Sequence, residues 1–281
     1  MKKVWVLSVF LVICVFLSAC KPNEKAQAYI DEGNAYMEKE DFDNAAVSYG
    51  EAINLDNKPA VYDLLTEART SQLGVLQDKY DKAYEKANFK DAQTINKRIQ
   101  KEFVDLLSKE EKKSLKDEAK ELEDYIYSQD LYDNYLLWAK PYIIQLKDSS
   151  NKFSSIKISI NLGGTSYASI DASLVNLIKE ADTVAGAADT KAENVDPSLA
   201  KINNKLSSVA RSFRDNYSAV LGAIRQSSTK QEILDSSEVI QTTTDDLMSA
   251  ISELRSYAET KGIKDNYQKV TVSKGKATLP K

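Results

Sequence analysis

The chain has 281 residues, 42% of them hydrophobic and 28% charged, with no histidine, two cysteines, nine glycines and five prolines. Without histidine there is no Ser-His-Asp or Cys-His machinery, no imidazole metal ligand and no imidazole pH switch. Sparse glycine and proline favour long helices over a many-turned β architecture, and the length suffices for one large domain or two ordinary ones.

Met1-Lys2-Lys3 is a short basic segment, followed by an apolar run from Val4 to Leu17 interrupted only by Ser8. Fourteen helical residues span roughly 21 Å, short of a ~30 Å hydrocarbon core, which disfavours a permanent transmembrane helix and fits a secretory signal peptide. The run ends in Leu17-Ser18-Ala19-Cys20, a branched apolar residue and two small residues before a cysteine. This segment resembles the lipobox of bacterial membrane lipoproteins. The resemblance implies that residues 1–19 are a signal peptide and that Cys20, the lipidation site, becomes the first mature residue. A thioether-linked diacylglycerol and a further acyl group such as palmitate would then hold the protein on the extracytoplasmic face of a bacterial cell membrane. Two or more acyl chains anchor a protein stably where one does not. Cys14 leaves with the signal, so the mature domain would carry neither a reactive thiol nor a disulfide.

Net charge is −4 for the whole chain, but it is unevenly spread: −7 over residues 21–147 and +1 over residues 148–281. The end of the chain holds Lys261, Lys264, Lys269, Lys274, Lys276 and Lys281 against Asp265 alone. Such a tail is either solvated or a contact for anionic lipid head groups or envelope polymers. The acidic balance and the export signal give no electrostatic footprint for nucleic acid.

Residues 26–59 carry Tyr29, Gly33 and Tyr36, then Asp41-Phe42-Asp43-Asn44-Ala45, then Tyr49, Ala52 and Pro59. Small residues stand where two antiparallel helices must approach, aromatics fill the seam, Asp41 to Asn44 make the turn, and Pro59 opens the next helix. The pattern resembles one tetratricopeptide (TPR) repeat. Glu32 stands where that family has leucine. The resemblance implies a groove lined by Gln27, Ile30, Asn34, Met37 and Glu38. Asn34 matches an asparagine that clamps peptide backbone, whereas Ile30 replaces the usual clamp lysine and argues against recognition of a C-terminal carboxylate. Asn88-Phe89-Lys90-Asp91-Ala92 echoes the turn 47 residues later, and Tyr132-Asp133-Asn134 is a weaker third echo. The stretch Tyr125, Tyr127, Tyr132, Tyr135, Trp138 and Tyr142 reads either as repeat core with a closing cap or as a contact surface, since Tyr and Trp are favoured hot-spot residues.

Residues 148–165 are polar, with Ile156, Ile158 and Ile160 alternating before Gly163-Gly164, and read as a short strand or an interdomain linker. Beyond them, three segments have apolar residues at helical spacing. The first runs from Ile170 to Ala188, Asp196-Pro197 opens the second, and Thr229 with Glu232 forms a capping-box pattern at the start of the third. The expected fold is all-α: TPR-like helical hairpins over 20–147, a linker over 148–165, an antiparallel three-helix bundle over 166–264, and a basic tail over 265–281, with Val270 to Val272 as a short extended piece.

Catalytic options reduce to carboxylates, lysine, tyrosine or serine. Asp245-Asp246 and Glu110-Glu111 are adjacent acids on solvated helix faces, and Ser149-x-x-Lys152 and Ser154-x-x-Lys157 match a Ser-Lys spacing only within the linker. No Gly-rich phosphate loop is present. The sequence therefore reads as a non-catalytic lipid-anchored docking protein without metal or cofactor, with an unidentified protein partner. The alternative is an envelope-polymer binder that uses the C-terminal bundle and basic tail.

Overall fold

In a computed structural model, residues 23–163, 165–226 and 228–279 are described. The expected signal peptide and the lipobox-like residues Leu17, Ser18, Ala19 and Cys20 lie outside them. Helices dominate: α1 (Glu24–Met37), α2 (Phe42–Leu55), α3 (Pro59–Glu85), α4 (Phe89–Glu102), α5 (Lys109–Leu162), α6 (Tyr167–Ala192), α7 (Pro197–Arg225), α8 (Lys230–Ser236) and α9 (Val239–Thr260), followed by strands β1 (Thr271–Ser273) and β2 (Lys276–Thr278). The all-α expectation agrees with this content. No described helix is long and apolar enough to cross a membrane. The chain divides into two compact units, with the boundary inside α5 after Glu123 rather than after residue 147.

In the first unit, Asn23 caps α1 by accepting from the Lys25 and Ala26 amides, and its Nδ2 donates to the Leu55 carbonyl at 3.1 Å. Tyr49 Oη donates to Asn34 Oδ1 at 2.8 Å, and Ser48 Oγ to Glu32 Oε2 at 3.2 Å. Asn23 at the start of α1 meets Leu55 at the end of α2, while Asn34 near the end of α1 meets Tyr49 in the middle of α2, so the two helices run antiparallel. Glu32, out of place as a seam residue, thus makes a polar contact instead of an apolar one. Ala45, Tyr49, Ala52, Val61 and Ala68 form the buried seam of α1–α3.

The echo at residue 88 is a structural repeat. Glu40 and Ala87 both adopt left-handed backbone, with φ of 57° and 52°, immediately before the helix N-caps Asp41 and Asn88. In each turn the N-cap amide reaches back five residues, Asp41 to the Tyr36 carbonyl at 2.9 Å and Asn88 to the Ala83 carbonyl at 2.8 Å. Ala45 and Ala92, at the same place after each turn, are fully buried. The third echo is not a turn. Tyr132-Asp133-Asn134 lies inside α5 because Tyr132, Tyr135, Leu136, Ala139, Ile143 and Leu146 form one continuous buried stripe at helical spacing.

The linker expectation over 148–165 is also corrected, since α5 continues to Leu162. Period-two alternation of isoleucines misled the reading: Ile156 and Ile160 are one helical turn apart and face the core, while Ile158 is 60% exposed. Ser154, Ser155 and Ser159 donate to carbonyls four residues back, so the serines stay within the helix. Gly163, at φ 70°, ends it, its amide donating a hydrogen bond to the Ser159 carbonyl at 3.0 Å.

Consequently the second unit is not a three-helix bundle. Its core joins α5 from Tyr132 onward to α6, α7, α8 and α9. Antiparallel neighbours are marked by Lys152–Glu180 with Trp138–Lys191 between α5 and α6, Arg225–Asp171 and Arg214–Asp182 between α6 and α7, and Lys205–Glu253 with Asn216–Thr243 between α7 and α9. Ser150–Thr244 joins α9 to α5, while Tyr135–Asn203 and Ser149–Tyr217 show α5 and α7 running parallel across the core. These directions describe an up-down-up-down bundle of four, the fourth member interrupted between α8 and α9. Pro197 occupies the first turn of α7 behind the Asp196 cap, and the Thr229–Glu232 capping box at α8 is complete.

The basic tail is not loose over its whole length. Ile263, Tyr267 and Val270 are core residues, and β1 pairs antiparallel with β2. Lys274 and Gly275 at the bend, with φ of 50° and 74°, have the positive φ values a tight two-residue hairpin turn needs.

Candidate functional site

Two surfaces carry chemistry, one in each unit. On the first unit the TPR-like packing set is only partly internal. Gly33, Ala45, Tyr49 and Ala52 are buried and Tyr36 is half-buried, but Tyr29 is exposed and Pro59 stands exposed at the first position of α3. Among the residues expected to line a groove, Ile30 and Met37 are partly buried against the α1–α3 core. Gln27, Asn34 and Glu38 face solvent. Gln27 donates to Asp31 Oδ1 at 3.0 Å, and the Asn34 carbonyl oxygen is taken by Tyr49. Hence the amide nitrogen of Asn34, the carboxylate of Glu38 and the amide oxygen of Gln27 are the polar groups this face can offer.

On the second unit, α5 and α6 enclose a groove of two adjoining chambers, about 580 and 650 Å³. Gln145, Lys152 and Glu180 line both. The inner chamber adds Ser155, Ser173, Asn176 and Thr183 over an apolar floor that includes Leu177. The outer chamber adds Trp138, Tyr142 and Asp148, and the β1–β2 hairpin supplies Val272, Gly275, Lys276 and Ala277. Trp138 and Tyr142 lie 5.2 Å apart between ring centroids, tilted by 51°.

Lys152 Nζ bonds Glu180 Oε1 at 2.9 Å, a bridge between the helices. Glu180 Oε2 is turned inward and accepts no hydrogen bond from any described residue. Behind it sits Tyr217, which accepts a hydrogen bond from buried Ser149 at 3.2 Å. Burial, with the Glu180 charge adding to it and the Ser149 bond opposing it, pushes the Tyr217 phenol up to about 12. Pro141 lies inside α5 and lines the outer chamber with Leu137. It has no amide hydrogen to give the Leu137 carbonyl, so that acceptor lacks its intrahelical donor.

The hairpin wall is fixed by a polar network at the end of α9. Asp265 Oδ1 accepts from Tyr132 Oη at 2.8 Å and from the Tyr267 amide at 2.9 Å, while Oδ2 accepts from Arg255 Nε at 2.7 Å. Burial works to raise the Asp265 pKa, but these donors outweigh it and hold the carboxyl below its ordinary range. Asn266 Nδ2 donates to Asp133 at 2.9 Å, and the buried Lys140 ammonium donates to the Tyr267 carbonyl with its Nζ 4.5 Å from that ring centroid. Burial lowers the Lys140 pKa, partly countered by the Asp265 charge.

Sequence reasoning flagged Trp138 and Tyr142 only as part of a tyrosine-rich run, and Lys152 only as a serine–lysine spacing. Ser149 is committed to Tyr217 and Lys152 to Glu180. Glu180 and Pro141 carried no signal, because their roles depend on which helix packs against α5. Among the described residues, no group of three or more acidic or cysteine side chains could hold a metal ion. No protein-family model, curated protein or solved structure matches the chain.

Proposed function

We propose that this protein is a non-catalytic lipoprotein, anchored through Cys20 on the extracytoplasmic face of a bacterial cell membrane, whose TPR-like first unit docks a protein partner. The supporting observation is the recurrence of one hairpin turn, Glu40-Asp41 and Ala87-Asn88, with the same left-handed residue and the same buried alanine after it. Stacked hairpins of this kind present successive helices to one side, the usual geometry for holding an extended or helical peptide. Gln27, Asn34 and Glu38 are the contacts in this reading, with no carboxylate-clamp lysine at Ile30.

Two measurements test it. Cys20→Ala should leave an uncleaved precursor or release the protein from the membrane fraction, and unchanged processing and fractionation would refute the anchor. A photocrosslinking residue at Asn34 should capture a discrete protein in intact cells, with capture reduced by Gln27→Ala and Glu38→Ala. Capture of lipid or polymer alone would refute docking.

A second reading, adhesion to anionic envelope polymers, is favoured by one observation: Lys261, Lys264, Lys269, Lys274 and Lys276 are all exposed. Exchanging these five for glutamine, which spares the buried Ile263, Tyr267 and Val270, should weaken retention on isolated envelopes if this reading holds.

A further inference from the structure

We propose that the groove between α5 and α6 binds a neutral pyranose saccharide, stacked on Trp138 and Tyr142 and hydrogen-bonded by the Lys152–Glu180 pair. This site belongs to the second unit and does not rest on the docking reading.

Four features point to this chemistry. Each chamber has the volume of an ordinary small-ligand site. Half-buried aromatic rings next to side-chain amides and carboxylates suit a molecule with apolar C–H faces and a rim of hydroxyls, and suit neither a lipid nor a bare ion. The titratable residues of the two chambers are Asp148 and Glu180 against Lys152, Lys179 and Lys276, besides the phenol of Tyr142. With charges this nearly balanced and both signs interspersed, neither a polyanion nor a polycation gains much, and a neutral polyhydroxyl ligand meets no penalty.

The fourth feature is unmet hydrogen-bonding capacity. Glu180 leaves one carboxylate oxygen without a donor, and the Leu137 carbonyl is released by Pro141. A buried acceptor such as this Glu180 oxygen is costly unless something pairs with it. Each carboxylate oxygen carries two lone pairs, so Glu180 Oε1 can accept from a sugar hydroxyl beside its bond to Lys152. Lys152, more than half exposed, can donate to the same sugar while keeping Glu180. The groove therefore offers the Glu180 carboxylate as acceptor and Lys152 as donor, with the Trp138 and Tyr142 rings in the same lining.

Calorimetric titration of the full chain with chitotriose and with cellotriose tests the proposal. At least one trisaccharide should bind saturably, with micromolar to millimolar affinity. Glu180→Gln and Trp138→Ala should each weaken it by about tenfold or more, the factor expected for one hydrogen bond to a charged group or one aromatic contact. Trp138→Phe should retain more binding than Trp138→Ala, and Lys152→Met, at a position more than half exposed, should weaken binding as well. Absence of binding by both sugars overturns the proposal, as does undiminished binding by Glu180→Gln and Lys152→Met with unchanged circular dichroism. Binding of poly-glutamate or of an unrelated peptide in place of the sugars also overturns it.

Discussion

The ring of Tyr49 lies directly against Gly33, so that a Cβ placed on that glycine would fall 2.5 Å from Cε1 and 2.7 Å from Cδ1. Tyr49 is 1% exposed and its hydroxyl is bonded to Asn34, so the ring has nowhere to retreat. An alanine would improve helix propensity by about 1 kcal/mol, but overpacking a tight seam costs typically 1–3 kcal/mol. Gly33→Ala should therefore lower the unfolding midpoint of the first unit, with loss of amide protection in α1 and α2. A stabilised variant would mean that the seam has slack.

The two hairpin turns place Ala87 and Glu40 in left-handed backbone, which costs a residue with a Cβ roughly 1–2 kcal/mol. Glycine removes that cost and gives back part of it, about 0.4–1 kcal/mol, by loosening the unfolded chain. Ala87→Gly should raise stability by about 0.5–1 kcal/mol in urea denaturation, and Glu40→Gly should add to it nearly independently. Destabilisation by both would show that these turns are held differently.

Asp265 predicts an acid-sensitive C-terminal segment. Its folded pKa is depressed, so the stabilisation is fully present above the ordinary carboxylate pKa of about 3.9 and is lost as pH falls through the folded value. Between neutral pH and about pH 5 the contribution should be flat. Asp265→Asn should be destabilising at pH 7, since the Arg255 and Tyr132 donors lose their charged acceptor, and it should flatten the loss below pH 4. Hydrogen exchange at residues 263–270 measures this directly, and an equally steep acid response in the variant would assign the effect elsewhere.

Pro141 interrupts the bonding of α5 within the second unit. Pro141→Ala supplies the missing donor to the Leu137 carbonyl and should raise the thermal midpoint of that unit. The gain should be below the ~3 kcal/mol of an unaccommodated helix proline, because the core is already packed around the ring. A lowered midpoint would mean that the packing of the proline ring outweighs the hydrogen bond.

Much of the architecture was legible in the chain because local chemistry decides it. Asp196-Pro197 and Thr229-x-x-Glu232 open helices through hydrogen bonds that span only a few residues. The Asn88 to Ala92 echo likewise announces a turn that repeats in the backbone. By contrast, the polar stretch from Asp148 to Ser159 looked like a linker, and only burial of Ser149, Ser150, Phe153 and Ile160 among α6, α7 and α9 keeps it helical. The binding groove was equally hidden, since Glu180 and Lys152 are 28 residues apart and meet only through helix pairing.

The sequence by itself determined composition-level chemistry: no imidazole, a cysteine pattern suited to a lipid anchor, long amphipathic helices and the positions of their caps. Those properties are set by residue type and by spacings of one helical turn. Only tertiary structure decided that α5 continues through residues 148–162 to make a fourth bundle helix, that the lysine-rich end is tied down by Tyr267 and Asp265, and that one carboxylate oxygen of Glu180 is buried without a donor among the described residues. These depend on contacts between distant segments, where burial outweighs local propensity.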